Sequence, residues 1–176
     1  LADSLVGTRG ALQARTDGIN RSIADISRSS VSSMSDIVWA INPKKDSLLE
    51  LTRRMRSFAE DILGQKDISL KFHAPEVFNE VKLDADTRRN VFLIFKESLN
   101  NIVRHSKAEK VEIELEIIRN KMILTVTDDG TGFDAGQNFD GNGLSNMKRR
   151  AADLNGYLEI FSEQGKGAKI VLEIAL

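Results

Sequence analysis

Apolar residues in the first third of the chain recur at helical intervals: Ile23, Ile26, Met34, Ile37 and Ile41, with Ser30 filling one step. After Pro43 the spacing becomes regular, because Leu48, Leu51, Met55, Phe58 and Ile62 follow one another at three, four, three and four residues. Such a stripe is the seam of a helix that packs against other helices. Gly18 and Asn20 offer a turn between a short helix, about 2–16, and a long one, about 20–63. Pro43 lacks a backbone donor and crowds the preceding turn, so a kink or break is predicted over 42–46. The long helix either associates with a second copy of itself or caps the domain that follows.

Past Gly64 the period changes from helical to alternating. Ile68, Leu70 and Phe72 alternate with polar residues, as do Val111, Ile113, Leu115 and Ile117, then Met122, Leu124 and Val126, and last Ile170, Leu172 and Ile174. Each reads as a strand with one wet face. Arg119, Asn120 and Lys121 suit a hairpin, and 157–161 adds a strand before the turn at Gly165 to Gly167. Helices fall between them, about 84–105 with Asp84 as N-cap and about 144–154. The predicted architecture is α+β: a helical segment over 1–64, then a domain over 65–176 in which a mixed sheet is covered on one face by helices.

Composition removes several classes of function. Hydrophobic residues make up 41% and charged residues 29% of the 176, ordinary for a packed soluble domain. A net charge of -1 lacks the Lys and Arg excess that a broad nucleic-acid surface needs, so no nucleic-acid partner is expected. The absence of cysteine excludes disulfides and thiolate metal sites and suits a reducing cytoplasm. No apolar run approaches the roughly 20 residues that span a bilayer, so no membrane contact is expected from these residues. The first residue is Leu1 rather than Met, which suggests a piece of a longer chain and leaves room for a membrane-anchored parent.

Three runs could carry chemistry. On the 84–105 helix, Glu97, Asn101, Arg104 and His105 stand at i, i+4, i+7 and i+8, opposite the apolar side of Phe92, Phe95, Leu99, Ile102 and Val103. Most such faces are simply solvated. A carboxylate, a carboxamide, a guanidinium and an imidazole in one line can, however, hold a hydrated divalent cation together with a polyphosphate, since magnesium keeps several waters and needs few protein oxygens. The run Asp128-Asp129-Gly130-Thr131-Gly132-Phe133 follows a strand and places an acceptor beside backbone that a planar ring can approach, although Asp-Gly is more often only a turn. Gly141-Asn142-Gly143-Leu144 opens a helix, where free amides and the helix dipole favour anions.

In this order the three runs resemble the N, G1 and G2 boxes of the GHKL (Bergerat) ATPase superfamily, which includes histidine kinases, DNA gyrase, the MutL repair proteins and a heat-shock chaperone. Glu97 to His105 corresponds to the N box, Asp128 to Gly132 to G1, and Gly141 to Leu144 to G2 at the end of an ATP lid. Gly165-Lys166-Gly167 looks like the last glycine box. The wording is closest to sensor histidine kinases that signal to NarL-type regulators, the DesK- and NarX-like class: "ESLNNIVRHSKA", "DDGTGF" and "GNGLSNMKRRA" are phrased as there. "DIVWAINPKKDSLLEL" looks like the second helix of that class's dimerisation domain.

The resemblance implies a GHKL α/β sandwich preceded by a long antiparallel dimerisation segment, and transfer of the ATP γ-phosphoryl group to a histidine. It implies that Asn101 binds Mg2+, that Glu97 orients water or acts as a base, and that Arg104 and His105 contact phosphates. Asp128 would accept a hydrogen bond from the adenine amino group, Gly130 and Gly132 would give the ring room, and Gly141, Gly143 and Leu144 would close over the phosphates, with Gly165 and Gly167 in the last box. A NarL-type response regulator and a second copy of the chain are the implied partners, in the cytoplasm.

Two features depart from the class. Its acceptor histidine sits in an Arg-rich "LHD"-like motif, and neither His73 nor His105 has that setting, so autophosphorylation is not expected of these 176 residues. Ala168 stands where many relatives carry Thr. An anti-sigma-factor type of serine kinase, or a module that binds nucleotide without transferring phosphate, are the competing functions. The kinked helix bearing "WAINP" speaks against the serine kinase.

Overall fold

The computed structural model describes Met34, Val38, Trp39 and residues 46–75, 81–133 and 142–176. The chain divides into two compact units, Leu1–Ile41 and Asn42–Leu176. In the first, Met34, Val38 and Trp39 are helical, with Met34 and Val38 exposed. The predicted 2–16 helix, the rest of the predicted 20–63 helix up to residue 45, and the turn at Gly18 and Asn20 lie outside the described residues.

The second unit opens with α1 (Leu48–Gly64), which begins where the chain leaves an extended Ser47 whose hydroxyl accepts from the Glu50 amide at 3.3 Å. Asp46 and Ser47 are not helical. They pair with the segment before the next helix, through Leu48 N to the Val81 carbonyl at 2.9 Å and Leu83 N to the Asp46 carbonyl at 2.7 Å. The long helix predicted through this region is therefore interrupted at Asp46 and Ser47, at the end of the break predicted over 42–46.

α1 packs on helix α2 (Ala85–Asn101) and strand β1 (Ser69–His73) of the same compact unit, Asn42–Leu176. The stripe it buries is Leu48, Leu51, Met55, Ala59 and Leu63, whereas Phe58 and Ile62 are half-buried. A heptad seam needs 58 and 62. A run that continues through 59 and 63 follows the i±4 ridge by which helices pack in globular cores. In this packing α1 caps the sheet domain of its own chain.

The remaining elements match the alternation in sequence. β2 (Lys110–Ile118), β3 (Lys121–Asp128), α3 (Asn142–Asp153), β4 (Tyr157–Ser162) and β5 (Ala168–Ala175) follow α2. The sheet runs β1-β2-β3-β5-β4, parallel between β1 and β2 and antiparallel elsewhere. Arg119 and Asn120 both take positive φ, 49° and 61°, forming the two-residue primed turn that suits the strand twist. Cross-strand layers such as Leu115, Leu124, Leu172 and Leu158 line one face, under the helices, while Glu112, Glu114 and Glu116 face out. Phe58 meets Phe92 and Phe95 edge to face where α1 meets α2, while Phe92 and Phe95 lie tilted to each other, with centroids 5.9 to 6.4 Å apart. No helix among the described residues is long and apolar enough to cross a membrane.

Asp84 caps α2 as its sequence position predicts, its carboxylate accepting from the Thr87 amide and hydroxyl at 2.8 Å each. The Thr87 amide, foremost, holds this carboxyl below the ordinary Asp range. Asp84→Ala is expected to cost about 1 kcal/mol, measured as a lower urea midpoint at unchanged slope. A folded-state pKa that is depressed stabilises above the unfolded value, so the parent's advantage over the variant is full at neutral pH and drains as pH falls below about 3.9.

Candidate functional site

Asp128 ends β3 and is 6% exposed. Its Oδ1 accepts from the Gly130 amide at 2.9 Å, and the Ala168 amide, opposite it on β5, also favours its charged form. Burial pushes this carboxyl above the ordinary Asp range, against the two amides, and neighbouring Asp129 pushes the same way. Asp129 points elsewhere: its Oδ1 accepts from the Glu109 and Lys110 amides at 2.9 Å each and so fixes the start of β2. Of the two adjacent acids, then, one is an acceptor at a strand end and the other a structural clasp.

The glycines around Asp128 are demanded by close approach. A methyl group at 130 would collide with the Ser106 carbonyl, and one at 167 with the carbonyl of Asp128 itself. Gly132 and Gly167 also take φ of 58° and 76°, which side chains rarely adopt. Thr131 N donates to the Ser106 carbonyl at 2.7 Å and the Thr131 carbonyl accepts from Gly165 N at 2.6 Å. The predicted G1 run and the last glycine turn thus form one body. Ser162 extends it, since its hydroxyl donates to the Gly167 carbonyl at 3.0 Å and accepts from Phe133 N at 2.8 Å.

Ser106 joins this body to α2. The helix predicted to run to residue 105 is α-helical through Asn101 and then widens to a π-helical turn, Ile102–Ser106, closed by Lys107 at φ 54°. Such turns recur at functional sites. Arg104 and His105 lie in it, exposed, so the α-helical wheel that aligned them with Glu97 does not continue to them. Glu97 and Asn101, half-buried, remain on one side of α2.

The third run reaches α2 from the other side. Gly143 and Leu144 are in the first turn of α3, which starts two residues earlier than predicted, and Glu97 Oε1 stands where a side chain at 143 would be. Gly141 lies outside the described residues. Between the helices Ser98 Oγ meets Met147 Sδ at 3.5 Å, and Arg150 Nη1 donates to Asn90 Oδ1 at 3.0 Å. Ser106, Asp129, Ser162, Asn90 and Arg150 escaped the sequence reading because each acts through a partner 19 or more residues away, with no local period to mark it.

The assembled groups are a buried acceptor at a strand end, a carboxamide and a carboxylate on an adjacent helix, and a helix N-terminus beside them. Among the described residues no cluster of three or more His, Cys, Asp or Glu could cage a metal. The donor set suits instead a cation held by one side-chain oxygen, water and ligand phosphate.

The family model for "Histidine kinase-, DNA gyrase B-, and HSP90-like ATPase" matches residues 86–176, just over half of the chain. The chain is 43% identical over 97 residues to sensor histidine kinase ComP of Bacillus subtilis, covering 53% of this chain and 13% of that protein. It is 27% identical over 138 residues to oxygen sensor histidine kinase NreB of Staphylococcus carnosus, covering 77% of this chain and 39% of that one. In fold it is similar to the histidine kinase domain of a blue-light activated histidine kinase from Erythrobacter litoralis, with a TM-score of 0.63 at 20% identity over 87% of this chain and 84% of that one.

Proposed function

Because the chain belongs to the histidine kinase-, DNA gyrase B- and HSP90-like ATPase family, we propose that it is the ATP-binding catalytic part of a two-component sensor histidine kinase, passing the γ-phosphoryl group of ATP to a histidine for relay to a response regulator. Family membership implies ATP binding. The kinase activity is supported by the sensor histidine kinases it resembles, of which it spans 13% to 39%.

The observation that carries the reading is the convergence on α2 of runs far apart in sequence, with Ser106 tying it to the loop of Asp128 and Glu97 meeting α3 at Gly143. In this reading the adenine amino group donates to Asp128, and the space around it is kept by Gly130 and Gly132. Asn101 would hold Mg2+, which would neutralise charge on the phosphates and so favour transfer. Glu97 orients the attacking group or takes its proton, Arg104 and His105 reach phosphate oxygens from the exposed turn, and Gly143 and Leu144, with Gly141 before them, offer helix-end amides. Gly165 and Gly167 brace the loop from behind.

The finer assignments are a NarL-type regulator, pairing of two copies through residues before Ile41, and a cytoplasmic setting. They are supported by the motif wording and by the apolar periodicity of 23–41. In this reading the pairing is assigned to residues before α1, because α1 packs on α2 and β1 of its own chain.

Asn101→Ala tests the metal role. ATP affinity in Mg2+ is expected to fall by about tenfold, the worth of one charge-assisted contact, and the difference between Mg2+ and chelator to disappear. An unchanged Mg2+ dependence would remove Asn101 from the site. Joined to a helix that carries an acceptor histidine, the parent chain should yield acid-labile phosphate. Acid-stable phosphoserine on a protein partner would favour the serine kinase, and binding without transfer the non-catalytic module.

A further inference from the structure

Helices α2 and α3 touch at positions seven residues apart on each, running in opposite directions. Gly143 faces Glu97 at one end, and Arg150 donates to Asn90 at the other. Seven residues are close to two α-helical turns, about 10.5 Å along the axis, so the two contacts share one stripe on each helix, with Ser98 and Met147 between them.

The Arg150 end of the stripe is a polar contact at a half-buried position: burial foremost, then Arg89 and Arg149 nearby, disfavour the charge on this guanidinium, and Asp153 and Glu97 oppose them. What the arginine adds is a directional donor, whose 3.0 Å bond to Asn90 ties a point of α3 to a point of α2.

We propose that Arg150, acting through Asn90, is a positioning residue that sets the height of α3 on α2 and thereby holds the helix-end amides at Gly143 beside Glu97 for the phosphates of the nucleotide. The inference rests on the nucleotide reading above. Arg150 makes no contact with substrate; it acts about two turns away, through the rigidity of α3.

The test uses the full chain and compares affinity for ATP with affinity for adenosine, which lacks the phosphates but keeps the base. In Arg150→Ala the ATP-to-adenosine ratio is expected to fall about tenfold, equally in Asn90→Ala, and no further in the double variant, as two ends of one contact require. Asn90→Asp, which keeps an acceptor for the guanidinium, should hold the parent ratio. Asn90→Ala carries the test even should Arg150→Ala fail to fold. A ratio unchanged in Asn90→Ala overturns the proposal. So does a loss in Arg150→Ala that Asn90→Ala fails to reproduce, which would mean direct contact with phosphate. Failure of the parent chain to bind either ligand is a separate result, which sinks the nucleotide reading and this proposal with it.

Discussion

Replacing Asp128 by Asn is expected to weaken adenine-nucleotide binding about 10- to 100-fold, the worth of a hydrogen bond to a charged acceptor plus the cost of opposing two donors. The folded protein should be no less stable at neutral pH. The two effects part company because Asp128 is an acid placed where acids are disfavoured. Its carboxyl is raised by burial and has the Gly130 and Ala168 amides for compensation. An Asn can turn its one oxygen to Gly130 but then presents an amino group to Ala168 and to any adenine amino group. A group whose folded pKa lies above its unfolded value stabilises below the unfolded value, and that contribution is lost as pH rises through the folded one. The parent's penalty therefore grows as pH rises above the ordinary Asp range, and the stability of Asp128→Asn relative to the parent should be higher at pH 7 than near pH 4. Isothermal titration and urea unfolding of the same two proteins read both quantities. Unaltered affinity would break the link between this acid and the base. A clear loss of stability at pH 7 would instead make Asp128 a structural acid like Asp129.

That contrast shows where the chain was legible. Strands announced themselves by period two, the Asp84 cap by its place before an amphipathic run, and the three candidate runs by their composition and order. The division of labour between Asp128 and Asp129 was not readable, because adjacent residues of one type differ only in which way the strand end turns them. Nothing in Ile102–Ser106 marks a π-helical turn either: its residues would continue an α-helix equally well, and the turn ends at Ser106, whose hydroxyl reaches the Ile102 carbonyl at 2.9 Å while its own carbonyl takes the Thr131 amide. Contacts of that span are decided by the whole fold rather than by the local sequence.

The role of α1 stayed open in the sequence for the same kind of reason. Leu48, Leu51 and Met55 fit both a heptad seam and a ridge packed on a sheet domain, and the two patterns diverge only at the next turn, where 58 and 62 compete with 59 and 63. Phe58 blurs the choice, since it is only half-buried yet stacks on Phe92 and Phe95 of α2. An aromatic at the margin of a stripe looks, in sequence, like its centre.

Leu51→Ala separates the two roles by experiment. Leu51 is completely buried, so truncation removes apolar contacts and leaves a cavity, and a loss of about 2–5 kcal/mol is expected. Because α1 covers the sheet domain of its own chain, the loss should appear in the unfolding of residues 42–176 and be independent of protein concentration. A seam between two copies would behave differently. There the midpoint of unfolding would rise with protein concentration, and the substitution would act mainly by shifting the oligomeric state, visible by sedimentation at micromolar protein. ATP affinity supplies a second readout: α1 supports α2 through Phe58, Phe92 and Phe95, and α2 carries Glu97 and Asn101, so slack in the first helix should reach the nucleotide through the second. Leu51→Ala is thus expected to lower ATP affinity even where the protein remains folded, an effect with no counterpart in a helix whose business is with another chain.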